Sequence, residues 1–279
     1  MAVRFMIDGH DCESVPADDR GLQYGDGLFE TMAAMDGRIA LLEEHLERLS
    51  HGAGRLGLPI PDRGVLRREV LGLLPGQGRA VSKLILTRGS GGRGYRQPEK
   101  IKIRRIVSVH PWPDYPDSWA SDGIAVRLCE TRLANDPVLA GLKTLNRLHQ
   151  VLARAEWDDP DIAEGLMMDA DGRVVCGTMS NLFLVRSGAL LTPGLEYSGV
   201  AGVMRKQILK IAAQMEIEVQ ERAVSLDDLS RADEIFVSNS LIMIWPVRQV
   251  DDRIRATGPL TTRLQQALKS SLLAAGATP

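Results

Sequence analysis

The sequence predicts an α/β protein of two domains, in which strands and helices follow one another in mixed rather than strictly alternating order. The chain has 279 residues, which is enough for two ordinary hydrophobic cores. Its composition, 44% hydrophobic and 25% charged, is that of an average soluble protein and excludes disordered and fibrous classes. The proline-rich stretch 110–123 has no periodicity, and a linker is predicted at 113–122, between domains at 1–112 and 123–279.

In the first domain, "VRFMIDGH" predicts a strand that enters a turn at Asp8 and Gly9. "LLEEHLERLSHGAGRLGL" predicts a helix with leucines along one side and Gly57 beyond its final turn. A second helix is predicted from Arg63 to Leu74. "AVSKLILTRG" and "KIRRIVSVHP" predict two strands that flank the glycine-rich loop "GSGGRGY".

In the second domain, "DADG" (169–172) and "RSGALLTP" (186–193) predict hairpins, "EIFV" (234–237) predicts a strand, and helices are predicted at 202–215 and 260–274. In "VLAGLKTLNRLHQVLARAEW" (138–157), apolar residues recur at spacings of three and four. This pattern predicts a helix whose buried face contains Leu145, Leu148, Leu152 and Ala155. Lys143 lies off that face, so periodicity alone indicates a surface lysine.

Charge and cysteine content narrow the classes of function. The net charge of -2 offers no basic surplus for nucleic acid, so we expect no nucleic-acid partner. The three cysteines, Cys12, Cys129 and Cys176, are too widely spaced for a disulfide framework or a zinc site. The N-terminus lacks a hydrophobic signal core and no run of eighteen apolar residues occurs. We therefore expect a cytoplasmic protein with no metal and no membrane partner.

Two segments of the second domain have features of an anion-binding site. Glycines in "GVAGVMR" precede a helix, and the first-turn amides of Val203 and Met204 would be free to bind a phosphate. Many helices also begin after glycine for steric reasons alone. Ser240, in "SNSL", follows an apolar strand, where polar groups often meet ligands, although a capped turn is an equally good interpretation.

A third segment, "TRGSGGRGY" (87–95), has features of carboxylate recognition. Arg88 and Arg93 each offer a guanidinium that can bind a carboxylate with two hydrogen bonds, and Tyr95 adds a hydroxyl. The alternative is a flexible hairpin on the surface.

Six motifs taken together resemble the fold-type IV pyridoxal-phosphate enzymes, a group that includes branched-chain and D-amino-acid aminotransferases. They are "ADDRGLQYGDGLFET" (17–31), "HLERL" (45–49), "GLKTLNR" (141–147), "SNLFLV" (180–185), "GVMR" (202–205) and "ADEIFVSNS" followed by "IWPV". Within the group, "RGSGGRGY" combined with "LAGLKTLNRLHQV" resembles the 4-amino-4-deoxychorismate lyases. The resemblance implies a two-domain α/β architecture with the active site between the domains, pyridoxal 5'-phosphate (PLP) as cofactor, and a homodimer.

The resemblance also implies roles for individual residues. Lys143 would form the Schiff base with PLP and act as the general base, which requires it to be unprotonated part of the time. Thr31, in "FET", would direct protons to the leaving group, unless it only packs in the fold. The remaining residues would bind the cofactor phosphate, namely Arg48, Val203, Met204 and Ser240, or the substrate, namely Arg88, Arg93, Tyr95 and Tyr24.

The resemblance places Cys176 among the cofactor-binding residues, beside the pyridine nitrogen, but this residue departs from the family pattern. The family usually has a glutamate five residues before the asparagine of "SNLF", where it keeps the pyridine nitrogen protonated, whereas this chain has Cys176. A neutral thiol would not raise the pKa of the pyridine comparably. Either a neutral partner suffices for this reaction, or another acid substitutes, or the protein is catalytically impaired.

The reaction that the resemblance implies converts 4-amino-4-deoxychorismate to p-aminobenzoate and pyruvate, a step of folate biosynthesis. Formation of an aromatic product would lower the demand on the cofactor, which agrees with Cys176. The alternatives are a branched-chain or D-amino-acid aminotransferase on the same fold and a PLP-binding homologue that does not turn over.

Overall fold

The computed structural model describes residues 3–274, which form two compact units. The described part of unit 1 comprises 3–113, 142–146 and 272–274, and unit 2 comprises 114–141 and 147–271. Lys143 therefore belongs to unit 1, although the chain reaches it from unit 2 and returns to unit 2 afterwards.

Unit 1 is built on a six-stranded antiparallel sheet in the order β2-β1-β6-β5-β3-β4. Its elements are β1 (Arg4–Ile7), β2 (His10–Asp11), α1 (Arg20–Tyr24), β3 (Gly27–Met35), β4 (Arg38–Ile39), α2 (Leu42–Arg55), α3 (Arg63–Gly72), β5 (Arg79–Thr87) and β6 (Arg104–Pro111). The predicted turn at Asp8 and Gly9, both helices, and the two strands around the glycine-rich loop are confirmed.

One face of this sheet forms the core of unit 1. Along β3, alternate residues such as Leu28 and Met32 are buried, and Gly52 of α2 packs directly against Leu28. Helix α2 buries Leu46 and Leu49 on the stripe that the sequence predicted. The residues between them in β3, including Phe29 and Thr31, point to the opposite face and are only half-buried.

Unit 2 contains nine strands and most of the remaining helices. Its elements are α4 (Ser118–Asp122), β7 (Ile124–Leu128), α5 (Leu148–Arg154), β8 (Ile162–Met168), β9 (Val174–Gly177), β10 (Asn181–Arg186), β11 (Ala189–Pro193), α6 (Val203–Gln214), β12 (Val219–Arg222), α7 (Leu226–Arg231), β13 (Glu234–Asn239), β14 (Met243–Val250), β15 (Arg253–Ile254) and α8 (Pro259–Ala274), whose last residues fall in unit 1. Strand order is β12-β11-β10-β13-β14-β7-β8-β9, and β9 also pairs with β10, so six of these strands close on themselves.

The strands of unit 2 confirm both predicted hairpins and have a mixed topology. β8 and β9 pair antiparallel around the "DADG" turn, and β10 and β11 pair antiparallel around Ser187 and Gly188. By contrast, β7 runs parallel to both β8 and β14. Leucine, isoleucine and valine side chains from these strands form the main core cluster. Within the predicted linker, 113–122, residues from Ser118 form α4, and its Trp119 packs against Trp245 of β14.

The predicted helix over 138–157 is wrong for most of its length. Only Leu148–Arg154 is helical, and 142–146 is extended and pairs with β3, with Thr144 opposite Leu28. The expected buried face is exposed: Leu148 is 74% and Leu152 60% accessible. Backbone pairing with β3 has overridden the helical periodicity, so Lys143 lies on an extended segment against the sheet. Across residues 3–274, every helix is too short or too polar to span a lipid bilayer.

Candidate active site

Lys143 is held against β3 by backbone hydrogen bonds on both sides. The carbonyl of Lys143 accepts a hydrogen bond from Phe29 N at 3.0 Å, and Leu145 N donates to Gly27 O at 3.0 Å. Its side chain is half-buried, with Nζ 4.3 Å from the centre of the Phe29 ring. The two backbone hydrogen bonds with β3 hold the segment that carries this amine, and the amine lies beside an aromatic face.

Arg48 lies at the centre of a buried charged network within unit 1. Its Nε donates to Glu30 Oε1 at 2.8 Å and its Nη2 donates to Glu30 Oε2, which makes a two-point ion pair. His45, one turn earlier in α2, contacts Glu30 Oε2 through Nδ1 at 2.6 Å. His45 and Glu30 are buried, whereas the Arg48 side chain retains 14% of its surface.

This network fixes the protonation of its members. Burial disfavours the ionised form of Glu30, but the charge of Arg48 and the hydrogen bonds from His45 and Arg48 outweigh it and lower the pKa of Glu30 to about 2. Burial lowers the pKa of His45, although its hydrogen bond to Glu30 opposes the shift. A neutral His45 therefore donates through Nδ1, and its Nε2 has no partner among the described residues.

The exposed face of β3 brings a second lysine close to Lys143. Thr31 pairs in register with Lys83 on β5, and Lys83 pairs with Ser108 on β6. The Nζ of Lys83 lies 5.4 Å from the same Phe29 ring that Lys143 contacts. Thr31, the predicted proton-directing residue, is half-buried on this face.

Arg88 differs from the free loop arginine that the sequence suggested. It is 2% exposed and donates to Asp26 Oδ2 at 2.8 Å, to the carbonyls of Leu56 and Gly57, and to Gln97. Asp26 Oδ2 also accepts from Arg20 Nε at 2.9 Å. Burial disfavours ionisation of Asp26, but hydrogen bonds from the two arginines outweigh it and lower its pKa. This geometry directs Arg88 into the protein.

The other three predicted substrate residues lie in or beside the glycine-rich loop. Arg93 is exposed, and Tyr95 is 87% exposed. Tyr24, at the end of α1, accepts a hydrogen bond from Gly94 N at 3.2 Å, and its ring meets that of Tyr95 edge to face at 5.6 Å. Arg20 donates to Gly94 O at 2.9 Å and stacks over the Tyr24 ring. The rings of Tyr24 and Tyr95 are therefore in contact, and Arg93 precedes Tyr95 by two residues in the sequence.

In unit 2, Val203 and Met204 form the first turn of α6, as predicted. The N-cap residue is Gly202, and no side chain caps the helix. A Cβ at Gly202 would lie 2.0 Å from Asn181 Oδ1, so a larger residue there would have to displace the buried Asn181 side chain. Asn181 in turn donates to Val200 O at 2.8 Å and holds the loop before α6. Among residues 3–274, no side chain accepts from the first-turn amides, as an anion site requires.

Ser240 lies in the turn that follows β13. Asn239 Oδ1 accepts from Leu241 N at 2.8 Å and from Ile242 N at 3.0 Å, and its Nδ2 donates to Met179 O at 3.1 Å. These bonds tie the turn to 178–180. Ser240, the next residue of this turn, is half-buried.

Cys176 lies in an apolar cluster of unit 2. The cluster contains Cys129, Leu133, Ala153, Trp157, Met167, Val175 and Cys176. Burial, and then the charge of Glu164, raise the pKa of Cys176 to about 12, so the thiol is neutral. Position 176 therefore carries no negative charge, as expected from the replacement of the family's glutamate by cysteine.

Glu164 is the acidic residue whose charge most affects Cys176, and its carboxylate is taken up by backbone amides and side-chain hydroxyls of 178–180. Its carboxylate accepts from Thr178 N at 2.9 Å, Thr178 Oγ1 at 2.5 Å, Met179 N at 3.2 Å and Ser180 Oγ at 2.7 Å. Sequence inspection missed this role, because Glu164 falls between ordinary strand residues.

Sequence inspection also missed Glu30, His45, Arg20 and Lys83. The sequence contained a signal for the first two. Glu30 is an even number of residues from Leu28 and Met32, so it faces the same side of the strand as these buried residues. His45 and Arg48 are three residues apart and share a helix face. Nothing local marks Arg20 or Lys83, since the partners of Arg20 come from the distant loop and the neighbours of Lys83 come from other strands.

Comparison with known proteins gives a consistent result. Residues 27–250 match the family described as amino-transferase class IV. Aminodeoxychorismate lyase from Vibrio harveyi is 36% identical, over 95% of this chain and 100% of that protein. The crystal structure of 4-amino-4-deoxychorismate lyase from Pseudomonas aeruginosa matches with a TM-score of 0.91 and 48% identity, over 96% of this chain and 99% of that chain.

An aminotransferase has the same fold. The crystal structure of branched-chain amino acid aminotransferase from Escherichia coli matches with a TM-score of 0.84 and 27% identity, over 94% of this chain and 92% of that chain. The similarity to both kinds of enzyme extends over nearly the whole chain.

Proposed function

Because the chain belongs to the amino-transferase class IV family, we propose that it is a PLP-dependent lyase that converts 4-amino-4-deoxychorismate to p-aminobenzoate and pyruvate, a step of folate biosynthesis. The observation that carries the proposal is the 48% identity, over 96% of the chain, to a structure of an enzyme with that name. The alternative on the same scaffold is an aminotransferase, and the E. coli enzyme of that kind is 27% identical.

The side chains present suit PLP. A phosphate dianion needs cations and N–H or O–H donors, and Arg48, the uncapped α6 amides and Ser240 are groups of these kinds. The aldehyde of PLP needs an amine, which Lys143 supplies. We propose that Lys143, Arg48, Cys176, Val203, Met204 and Ser240 bind the cofactor, as the resemblance to the family implies.

Several residues of this chain have separate roles in the proposed reaction. When bound, PLP supplies an aldehyde that reacts with amines and a ring that withdraws electrons from the substrate. Lys143 removes the proton from C4 of the substrate as general base. Thr31, on the same sheet face as Phe29, directs a proton towards the enolpyruvyl oxygen that leaves. Arg48 is held in place by Glu30, which accepts hydrogen bonds from its Nε and Nη2.

The glycine-rich loop is proposed to bind one end of the substrate. Arg93, Tyr24 and Tyr95 would contact it directly. Arg88 contributes by holding the loop, because its guanidinium already donates to Asp26 and to the carbonyls of Leu56 and Gly57.

Cys176 favours the lyase over an aminotransferase. Its thiol is neutral and Glu164 is occupied by four donors from 178–180, so neither residue offers a free carboxylate. We propose that a neutral partner is sufficient here, since formation of the aromatic product drives the reaction. An aminotransferase depends more on a protonated ring, because it must complete two half-reactions.

The protein is further proposed to be a cytoplasmic homodimer. The three free cysteines suit a reducing compartment. The apolar stripe of α5, formed by Leu148, Val151 and Leu152, is at least 60% exposed at each position, and such a patch marks a protein interface.

A coupled assay tests the proposed reaction. Chorismate, glutamine and an aminodeoxychorismate synthase generate the substrate, and p-aminobenzoate and pyruvate are both quantified. Equal amounts of the two products, lost in Lys143→Ala, are expected. Conversion of the cofactor to pyridoxamine phosphate on addition of amino acids, without p-aminobenzoate, would instead identify an aminotransferase. PLP binding with neither activity would indicate an impaired homologue.

A further inference from the structure

The glycine-rich loop continues into a basic segment, residues 93–102. The segment contains four basic side chains, Arg93, Arg96, Lys100 and Lys102, and one acidic side chain, Glu99, and all five are exposed. The whole chain, by contrast, has a net charge of -2. The segment is therefore positive in a chain that is slightly negative overall, so its local field attracts anions.

The basic segment folds back on the loop. A Cβ at Gly89 would lie 1.9 Å from the carbonyl oxygen of Lys102, so the backbone at the two ends of the loop is in direct contact. Arg88 Nη1 donates to Gln97 Oε1 at 3.4 Å, which ties the middle of the segment to the same end of β5. The basic side chains are therefore gathered around the loop rather than spread along an extended chain.

The charges of the basic segment are not neutralised by carboxylates. The basic residues that flank it are each paired, namely Arg88 with Asp26, Arg104 with Asp19 and Arg105 with Glu69. Within the described range 3–274, no ion pair involves the four basic residues of 93–102. At the base of the loop, the buried Arg20 and Arg88 share the single carboxylate of Asp26, which leaves a further positive charge there.

The loop borders the segment that carries Lys143. Asn146, three residues after Lys143, donates through Nδ2 to the carbonyl of Gly25 at 3.4 Å. The residue before Gly25 is Tyr24, whose hydroxyl accepts a hydrogen bond from Gly94 N of the loop at 3.2 Å. An ion that approaches Lys143 therefore passes through the field of the basic segment, since this field extends about 10 Å into water at an ionic strength of about 0.1 M.

We propose that the basic segment attracts the net anionic substrate to the site through its electrostatic field and gives α-amino acids no such advantage. The inference rests on the proposed function, whose substrate carries two carboxylates and one amine and is a net anion at neutral pH. An α-amino acid with an apolar side chain has one carboxylate and one amine and is neutral overall. Because the energy of an ion in a field scales with its net charge, the segment speeds encounter with the first and not with the second.

The first test reverses the three charges of the segment that the proposed binding site does not use. In Arg96→Glu combined with Lys100→Glu and Lys102→Glu, kcat/KM for 4-amino-4-deoxychorismate, measured with saturating PLP, should fall about tenfold at low ionic strength. At about 0.5 M salt the loss should shrink to less than about twofold, because charges are then screened within about 4 Å. The value of kcat should stay near that of wild type, since the field acts on encounter and not on the bound substrate.

The matched control reverses three exposed charges elsewhere and gives the same net charge. It combines Arg38→Glu with Arg263→Glu and Lys269→Glu. Arg38 pairs with β3 at the end of the sheet opposite to Thr87, where the loop begins. This control should keep kcat/KM within about twofold of wild type at every salt concentration.

A second measurement detects the field without turnover. A thiol is introduced as Gly92→Cys, where a Cβ would meet no described atom within 4 Å, in a Cys12→Ser background that leaves only the two buried cysteines. Its rate of reaction with dithiobis(nitrobenzoate), a dianion, is divided by its rate with the neutral dithiodipyridine, so that effects on the thiol itself cancel. The triple reversal should lower this ratio about tenfold or more at low ionic strength and leave it nearly unchanged at about 0.5 M salt.

An unchanged kcat/KM in the triple reversal at low ionic strength would overturn the proposal. A loss that persists at high salt, or that appears equally in kcat or in the control variant, would also overturn it, because it indicates a disturbed fold or a general effect of net charge. An unchanged ratio of thiol rates would show that the segment has no such field. If the wild type forms no p-aminobenzoate but the ratio falls as expected, the proposed reaction fails while the anion-attracting segment stands.

Discussion

At the scale of single residues, variants of Cys176 test whether its thiol takes part in the reaction or is only tolerated as a neutral partner. Its thiol is neutral and lies in an apolar cluster with Cys129 and Met167. Cys176→Ala should therefore keep kcat within about threefold of wild type, with a loss of about 1 kcal/mol in the free energy of unfolding. Cys176→Glu should lower that free energy by about 3 kcal/mol or more, because it buries a second carboxylate within the influence of Glu164.

Turnover in the coupled assay and urea denaturation measure both effects, with Cys129→Ala as the control for loss of a buried thiol from the same cluster. A tenfold or larger fall in kcat for Cys176→Ala alone (about 1.4 kcal/mol) would show that the thiol takes part in the reaction. It would contradict the view that a neutral partner is merely tolerated.

The network of Glu30, His45 and Arg48 makes stability depend on pH. The pKa of Glu30 falls from 4.5 to about 2 on folding, so its contribution is complete above pH 4.5 and is lost as the pH falls towards 2. The loss amounts to about 3 kcal/mol. The pKa of His45 is also lowered on folding, so stability already declines as the pH falls below 6.5.

Urea denaturation of the apoprotein from pH 7 downwards measures the slope. Glu30→Gln should be less stable at pH 7 and should lose the decline between pH 4.5 and 2, while the decline due to His45 remains. An identical pH dependence in wild type and Glu30→Gln would refute the assignment of the low pKa to this residue.

At the scale of elements, the start of α6 depends on one glycine. A methyl group at Gly202 would meet Asn181 Oδ1 at 2.0 Å, so Gly202→Ala should displace the first turn of the helix. PLP affinity, measured by fluorescence titration, is expected to fall about tenfold or more because the Val203 and Met204 amides move. Affinity for pyridoxal, which lacks the phosphate, should change less.

Gly54→Ala is the matched control. Gly54 lies inside α2, and a methyl group added there would meet no described atom within 4 Å, so alanine should stabilise the protein by about 0.5–1 kcal/mol. Equal loss of PLP and pyridoxal affinity in Gly202→Ala would mean that the substitution disturbs the fold rather than the phosphate site.

Elements with strong local signals were predictable from sequence, and those that depend on distant partners were not. Helix α2 carries its leucine stripe and a terminal Gly57 at φ 64°, and α6 begins after Gly202. The helix prediction failed at 142–146 because the backbone of this segment pairs with β3, which is more than a hundred residues away in the sequence.

The same limit applies to the site. Lys143 and Arg48 fall in motifs of a known family and can be located without coordinates. Arg88, by contrast, is seen to be committed to the fold only when its carbonyl acceptors at 56 and 57 are known.

At the scale of the whole molecule, the exposed stripe of α5 predicts self-association. Leu148, Val151 and Leu152 are apolar and 60–74% exposed, and we expect a second copy of the chain to cover them. Light scattering after gel filtration should give twice the mass of one chain for wild type. Leu148→Lys combined with Leu152→Lys should shift the protein to the monomer without unfolding it, because both side chains are already on the surface.

Leu226→Lys, at a 45% exposed position of α7, provides the control and should remain dimeric. A wild type that runs as a monomer at micromolar concentration, or a double variant that stays fully dimeric, would contradict the assignment of α5 to the interface.

The most direct test of the account is chemical identification of the amine that joins PLP. The protein is incubated with PLP, reduced with borohydride, digested and analysed by mass spectrometry, with Lys143→Arg treated in parallel. A phosphopyridoxyl group is expected on Lys143 of the wild type, and none is expected at this position in the variant. An unlabelled Lys143, or a label that settles on Lys83 or another lysine instead, would contradict it.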